Sequence, residues 1–419
     1  MKYVILFLLL AMNYQAFAVE AKVGTSKKLP AENSEDIFVC NTGDTVLKTY
    51  AAAIRAFNHL LPGQGVYLCR GGEFEVTRSS IISRAACEAD KVCTFGAYGE
   101  GEAPIVRSNG GVLTLEAAED GSIKYVDIKN IRFIGPGYVE AVVTGVKVSE
   151  KAIIENVNFI NIVVEGFHTG MYHKDGNNNQ SINVYNSRFS HNKGAGFLGG
   201  SNNSVLENNV FEHSGTGKGG HQIYVAGNGL KNLTVRGNTL RYNAPVGGVC
   251  NRGPLVAHGI IDGLLIEDNV ILEDKENTDG GCWGIAVDQG RAWPESFENV
   301  IIRGNTVKYA GNMPIGCSNC PGAIIEDNII TIEGRISSGI MIPTKTERDG
   351  APTVAPIVRN NIITVESPIS TRDKRWGIRV VAPDAEVYDN TIYYEDVSRF
   401  FHCAEVNGVD IDGNNCVTN

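Results

Sequence analysis

The chain has 419 residues, with 37 Lys or Arg against 47 Asp or Glu, a formal net charge of −10 at pH 7. That acidic balance argues against duplex nucleic acid as a partner, since such binding rests on basic side chains neutralising phosphates. Glycine is heavily used, at 48 residues, and 43% of the chain is hydrophobic, enough for one large elongated domain or two ordinary ones.

Residues 1–18 read as a secretory signal peptide. Lys2 precedes an apolar run from Val4 to Met12, and Ala16-Phe17-Ala18 gives a small-residue cleavage pattern. The run is too short for an anchored span and no later segment reaches the needed length, so no membrane span is expected. The mature chain is expected to be secreted or periplasmic, opening with an extension over residues 19–39.

All ten cysteines follow the signal. An even number in an exported chain implies disulfides. Connectivity is open in the sequence, and local pairing gives Cys40–Cys69, Cys87–Cys93, Cys250–Cys282, Cys317–Cys320 and Cys403–Cys416. Zinc is disfavoured, because Cys317 and Cys320 have no second pair of soft ligands nearby.

From about residue 123 to 394 a short phrase recurs: NIRF at 130–133, NVNF at 156–159, NSRF at 186–189, NNVF at 208–211 and GNTL at 237–240. It continues as DNVI at 268–271, GNTV at 304–307, DNII at 327–330, NNII at 360–363 and DNTI at 389–392. Alternating apolar residues precede each phrase, and many phrases are followed by a second short strand. Period-2 alternation places one row of side chains in a core. A strand this short cannot bury its row alone, whereas stacked coils bury a continuous column. Asn and Gly sit where the chain must turn sharply, both tolerating the left-handed region. The expected fold is all-β: a right-handed parallel β-helix of about ten coils over residues 40–400, with an asparagine-rich ladder. Residues 401–419 are expected to form a disulfide-tied C-terminal cap.

These phrases resemble the repeats of the right-handed parallel β-helix (pectate-lyase-like) superfamily over about residues 40–400. The segment 51–63 followed by 66–74 looks like that superfamily's opening, which implies a short amphipathic helix capping the first coil. Such a cap covers an apolar cross-section and an unpaired sheet edge. The resemblance implies fold rather than chemistry, because the superfamily includes lyases, hydrolases, epimerases, esterases and adhesins. The Asp-Asp pair and Gly-His-Gly of polygalacturonases, the Arg-x-Pro-x-x-Arg of pectate lyases and the Asp-Pro-His-Asp of alginate epimerases have no counterpart here; residues 219–222 read GGHQ.

Aligning the second strands on their glycine-apolar starts gives an outward column: Lys147, Tyr172, Leu198, Tyr224, Cys250, Ala286, Met341 and Arg379. His173, Lys174, Asp175, Arg252, Asp288 and Arg291 fall just beyond it. Six of the eight histidines lie between 168 and 258, in about four coils. This patch suits β-elimination on an acidic, uronate-containing polysaccharide or oligosaccharide, which needs a base for the C5 proton and a cation for the carboxylate. His221, Tyr224 and His173 are the candidate bases, and Arg252 and Lys174 the candidate clamps. Calcium is an alternative cation; otherwise no cofactor is expected. Tyr172, Asp175, Asp288, Arg291 and Trp293 are expected to bind substrate, Trp293 by stacking on a sugar face, whereas Trp376 is expected to pack locally. Two readings stand beside the lyase. A glycoside hydrolase would pair carboxylates among Asp175, Asp262, Asp279 and Asp288; a glycan-binding or structural surface protein would need neither arrangement.

Overall fold

The computed structural model describes residues 36–40, 49–118, 121–149, 153–215, 220–288, 295–332, 338–343, 354–366, 375–382, 384–394 and 401–418, with backbone alone at 86 and 174–178. The expected signal peptide and most of the extension after it lie outside these residues.

The chain winds as a right-handed parallel β-helix with three faces. One coil consists of Ala195–Asn202 on the first face, Val205–Glu207 on the second and Val210–Glu212 on the third. The next repeats it one level up, pairing Phe197 with Ile223, Leu206 with Val235 and Phe211 with Leu240, all in parallel. The first two faces merge into a 24-stranded sheet and the third forms a 13-stranded one. The third face thus has strands outside the ten phrases. Glu73–Val76 and Ile105–Ser108 precede the first phrase, and Asn415–Thr418 follows the last.

The phrase is a corner followed by a strand. Its first residue takes positive φ, as at Asn208 (56°), Gly237 (63°), Asp268 (55°) and Asn360 (57°). Its second residue turns inward. From Asn209 to Asn390 these asparagines are fully or almost fully buried, and each donates an amide N–H to the next side-chain carbonyl, as in Asn238 to Asn269 and Asn269 to Asn305, both 3.0 Å. The same amide group donates to a backbone carbonyl of the preceding coil, Asn305 to Ile266 at 2.9 Å. A buried amide without partners would destabilise the corner, so the stack is favourable only because nearly every donor is used. The fourth position fills the core, with Phe133, Phe189, Phe211, Leu240 and Ile271 all buried. One expected phrase, NVNF at 156–159, is out of register with the third-face column. Residues 156–159 lie in the second-face strand Ile153–Ile160, and the partner of Phe133 is Val164. Both Asn156 (φ 53°) and Asn161 (φ 51°) are left-handed in that coil, so residue type alone did not separate them.

The ends are closed as their sequences require. Helix Tyr50–Phe57 starts at Thr49, whose hydroxyl accepts the Ala52 N–H at 3.2 Å. Its buried Tyr50, Ala53, Ile54 and Phe57 share one face at i, i+3, i+4, i+7, with the two rings edge-on to Phe95. At the other end, Phe401–Val406 and Asn415–Thr418 add a strand to each sheet, tied by Cys403–Cys416. All five disulfides join the expected partners, which fits an oxidising compartment. Among the described residues no helix is long and apolar enough to cross a membrane.

Candidate active site on the first face

Strand pairing sets the outward column of the first face. It runs Lys147, Tyr172, Leu198, Tyr224, Val256, Ala286, Gly316, Met341, Arg379 and Glu405. The strand that carries Val256 therefore starts at Leu255, and Cys250 is not in the column. Residues 244–254 form an inserted loop, fixed by the Cys250–Cys282 disulfide. Its Gly-Val-Cys-Asn imitates a strand start, which is why alignment by glycine placed it there.

Around Tyr224 this loop helps assemble a polar cluster. His221 begins the strand His221–Arg236, and its ring centroid lies 5.0 Å from that of Tyr224, three residues on. His221 Nδ1 is 2.6 Å from the Gly253 carbonyl oxygen, delivered by the loop. A carbonyl only accepts, so Nδ1 carries the proton and Nε2 holds the lone pair. Burial holds the His221 pKa down at about 4; the Gly253 bond opposes this, and the charges of His258 and Arg252 add to it. Imidazole is therefore neutral at ordinary pH. The Tyr224 hydroxyl is pushed the other way, first by burial and then by the Glu295 carboxylate, and stays protonated.

The coil above contributes His258, whose ring meets Tyr224 edge-on at 5.3 Å, and the coil beyond that contributes Glu295, whose carboxylate lies 3.2 Å from His258 Nδ1. Glu295 is buried, while Arg252 is exposed at the end of the loop. The side chains of Val256 and Ala286, in the same column, are buried and close one flank. His221 and Tyr224 thus share one strand, Arg252 lies near enough for its charge to act on His221, and a half-buried Asp288 stands one coil beyond His258 in the same register.

Other candidates fall elsewhere. His173 points into the coil, only 1% exposed, its Nε2 3.1 Å from the Asn179 amide nitrogen, and burial lowers its pKa to about 3. Its neighbour in the next coil is Gly199, where a Cβ would collide with the His173 carbonyl. It does not reach the groove. Tyr172 is two coils from Tyr224, about 10 Å at ordinary strand spacing. The side chains of Lys174 and Asp175, and the whole of Arg291 and Trp293, lie outside the described residues. Of the carboxylates considered for hydrolysis, Asp262 accepts from Asn299 on the second face and Asp279 caps a turn at Gly281. Neither faces the cluster. Trp376 packs locally, stacked on His402 with Arg379 over its face.

Among solved structures, the catalytic domain of a GH87 α-1,3-glucanase in complex with tetrasaccharides matches with a TM-score of 0.51 and 14% identity, over 94% of this chain and 70% of that one. The chain is a parallel β-helix. A GH136 lacto-N-biosidase from Eubacterium ramulus gives 0.49 and 13% identity over 91% of this chain and 67% of that one. A PL6-family alginate lyase gives 0.46 and 14% identity, covering 88% and 53%. No protein-family model and no curated protein matches the sequence. At these identities the likeness is one of fold.

The sequence did not single out His258 or Glu295. His258 stands in the expected histidine-rich stretch, but with the strand start misplaced at Gly248 its outward position was hidden. Glu295 follows the stretch from Asp288, directly before the second-face strand Ser296–Arg303, and only three-dimensional winding brings it beside His258, one coil on. Two sets of possible metal ligands occur among the described residues, Cys250, Glu273 and Cys282, and His402, Glu405 and Asp410. The two sulfurs of the first are joined to each other, and neither set is the all-oxygen shell that suits calcium.

Proposed function

We propose that this protein is a polysaccharide lyase that cleaves an acidic, uronate-containing glycan by β-elimination at the His221, Tyr224 and Arg252 cluster. The observation that carries the reading is the hydrogen bond from His221 Nδ1 to the Gly253 carbonyl, which leaves Nε2 as a neutral acceptor beside a protonated phenol. His221 Nε2 takes the C5 proton, the C4–O bond breaks, and a C4–C5 double bond forms. Tyr224 gives its proton to the departing oxygen, and Arg252 draws the charge developing on the carboxylate, its planar fork suiting that group. Exchange with solvent then removes the proton from His221 Nε2 and returns one to the Tyr224 phenolate, which resets both groups, while His258, held by Glu295, packs edge-on against the Tyr224 ring. The presence of tetrasaccharides in the GH87 β-helix supports a glycan as the ligand class.

The test is absorbance near 235 nm during incubation with a panel of acidic polysaccharides. A rise that is lost in both His221→Gln and Tyr224→Phe supports the reading. New reducing ends without absorbance would replace it by hydrolysis, with Glu295 and Asp288 as the carboxylates to mutate. Neither signal, with retained binding to a glycan, would leave a binding protein.

A further inference from the structure

The corner that leads from the third face back to the first carries a column of rings. The residue after the third-face strand is His191, His213, Tyr242, Glu273 and Tyr309 in successive coils, in a register marked by Tyr242 N–H donating to Leu272 O and Glu273 N–H to Lys308 O. His191 and His213 lie 5.2 Å apart, and His213 stacks on Tyr242 at 5.3 Å and 17°. At Glu273 the column breaks. That side chain turns inward, only 2% exposed, and both its oxygens accept the Asn243 N–H, at 3.1 and 2.9 Å. Tyr309, two coils from Tyr242 and so about 10 Å away, is covered by Lys275.

Beside Tyr242, at the interrupted level, is a pocket of about 230 Å³, bounded by Glu273, Asp274, Asn277 and the 244–248 backbone. Its floor combines an aromatic ring 36% exposed with a carboxyl, a carboxylate and an amide, the mixture by which proteins hold a ring with one apolar face and a polar rim. The pocket wall is rigid. Cys250 is tied to Cys282, and its N–H donates to Asn277 O at 2.8 Å. The Asn243 amide donates to Arg252 O at 2.9 Å, so the loop that shapes the pocket also presents Gly253 to His221.

We infer that this pocket is a second sugar subsite, taking an uncharged pyranose whose C–H face stacks on Tyr242 and whose hydroxyls bond to Glu273, Asp274 and Asn277. The inference rests on the glycan-active reading above and adds to it a mixed polymer, with a carboxylated ring at His221 and an uncharged ring here. Asp274 at the rim repels a ring carboxylate. Burial keeps Glu273 protonated to about pH 8, so its carboxyl can donate as well as accept.

Saturation-transfer NMR with methyl β-D-glucopyranoside, methyl β-D-galactopyranoside and methyl β-D-glucuronide tests it. Wild type should saturate the ring protons of at least one neutral glycoside. Tyr242→Ala should weaken that signal at least fivefold, Tyr242→Phe should retain it, and Asn277→Phe, which fills the pocket without removing a core side chain, should abolish it. Tyr224→Phe should leave it unchanged. The inference is overturned if no neutral glycoside is saturated, if Asn277→Phe retains the signal, or if the glucuronide binds as well as the neutral rings in a Tyr242-dependent manner. The 235 nm assay on the same proteins separates the two readings. Elimination with no Tyr242-dependent signal sinks the subsite alone, whereas a pocket signal without elimination on any polymer sinks the lyase alone.

Discussion

Replacing Glu273 by Gln isolates one buried carboxyl whose effect on stability has a definite sign. Glu273 is almost fully enclosed, and burial raises its pKa from 4.5 to about 8; the Asn243 N–H lowers it and the Asp274 charge raises it further. The unfolded chain therefore releases this proton from about pH 4.5 upward, while the folded chain keeps it until about pH 8. Stability contributed by the protonated group is complete below the unfolded value and is lost as pH climbs through that window. At about 1.4 kcal/mol per pH unit, and allowing for curvature near both ends, wild type should lose roughly 3 to 4 kcal/mol between pH 5 and pH 8 from this residue. Gln keeps the shape and still accepts from Asn243, but does not titrate. Urea unfolding of the two proteins at pH 5, 6, 7 and 8 should show Glu273→Gln gaining on wild type by that amount as pH rises, with equal m-values. A difference between the two that is flat across the series would refute the reasoning, since it would mean that Glu273 ionises in the folded state near its ordinary pKa.

Other consequences are open to direct measurement. If His221 is the base, its pKa of about 4 sets the acid limb of the elimination rate, with no alkaline limb below the ordinary tyrosine range because Tyr224 is shifted upward; a limb near pH 6.5 would exclude it. His221→Gln should lower the rate by about 10² to 10⁴, the usual span for a lost general base. Asn305→Ala strips the ladder of bonds to Ile266, Asn269 and Asn328 and should cost about 2–4 kcal/mol in chemical unfolding; a cost below 1 kcal/mol would mean that water replaces the amide. Glu267 bridges Arg236 and Arg303 from a nearly buried position. Glu267→Gln should cost about 1–2 kcal/mol, while Glu267→Lys, which places three cations in succession, should cost more; equal melting of the two variants would count against a charge effect.

The fold was legible because stacking converts sequence period into spatial columns. From residue 208 onward each phrase has one inward apolar position, one inward Asn and one left-handed residue, and three separate physical demands agree on the same four letters. The charge column next to the corner follows the same logic and was readable too. From the phrase at 208 onward, the residue before each phrase runs Glu207, Arg236, Glu267, Arg303, Glu326, Arg359 and then Tyr388. Coils about 4.8 Å apart would set like charges against each other, so the alternation of sign along the stack is what the geometry demands. The ion pairs follow it: Arg236 to Glu207 at 2.9 Å, Arg303 to Glu267 at 2.7 Å, Arg359 to Glu326 at 2.7 Å.

The site was legible only where the column rule holds without insertions. His221 and Tyr224 share one strand at a spacing of three, and Tyr224 is placed by aligning Gln222-Ile-Tyr-Val with the neighbouring rows. From there the reading depends on coil lengths, which vary because loops enter at the corner before the first face. The 244–254 loop shifted one strand by six residues, replaced Val256 by Cys250 in the expected column, and so concealed His258. The same loop supplies the Gly253 carbonyl that fixes the His221 tautomer and one wall of the Tyr242 pocket. A regular repeat can present a row of side chains but has no means of aiming a backbone carbonyl at one of them. The irregular insertion, pinned by Cys250–Cys282, does that, so the segment hardest to place by periodicity is the one on which the proposed chemistry depends.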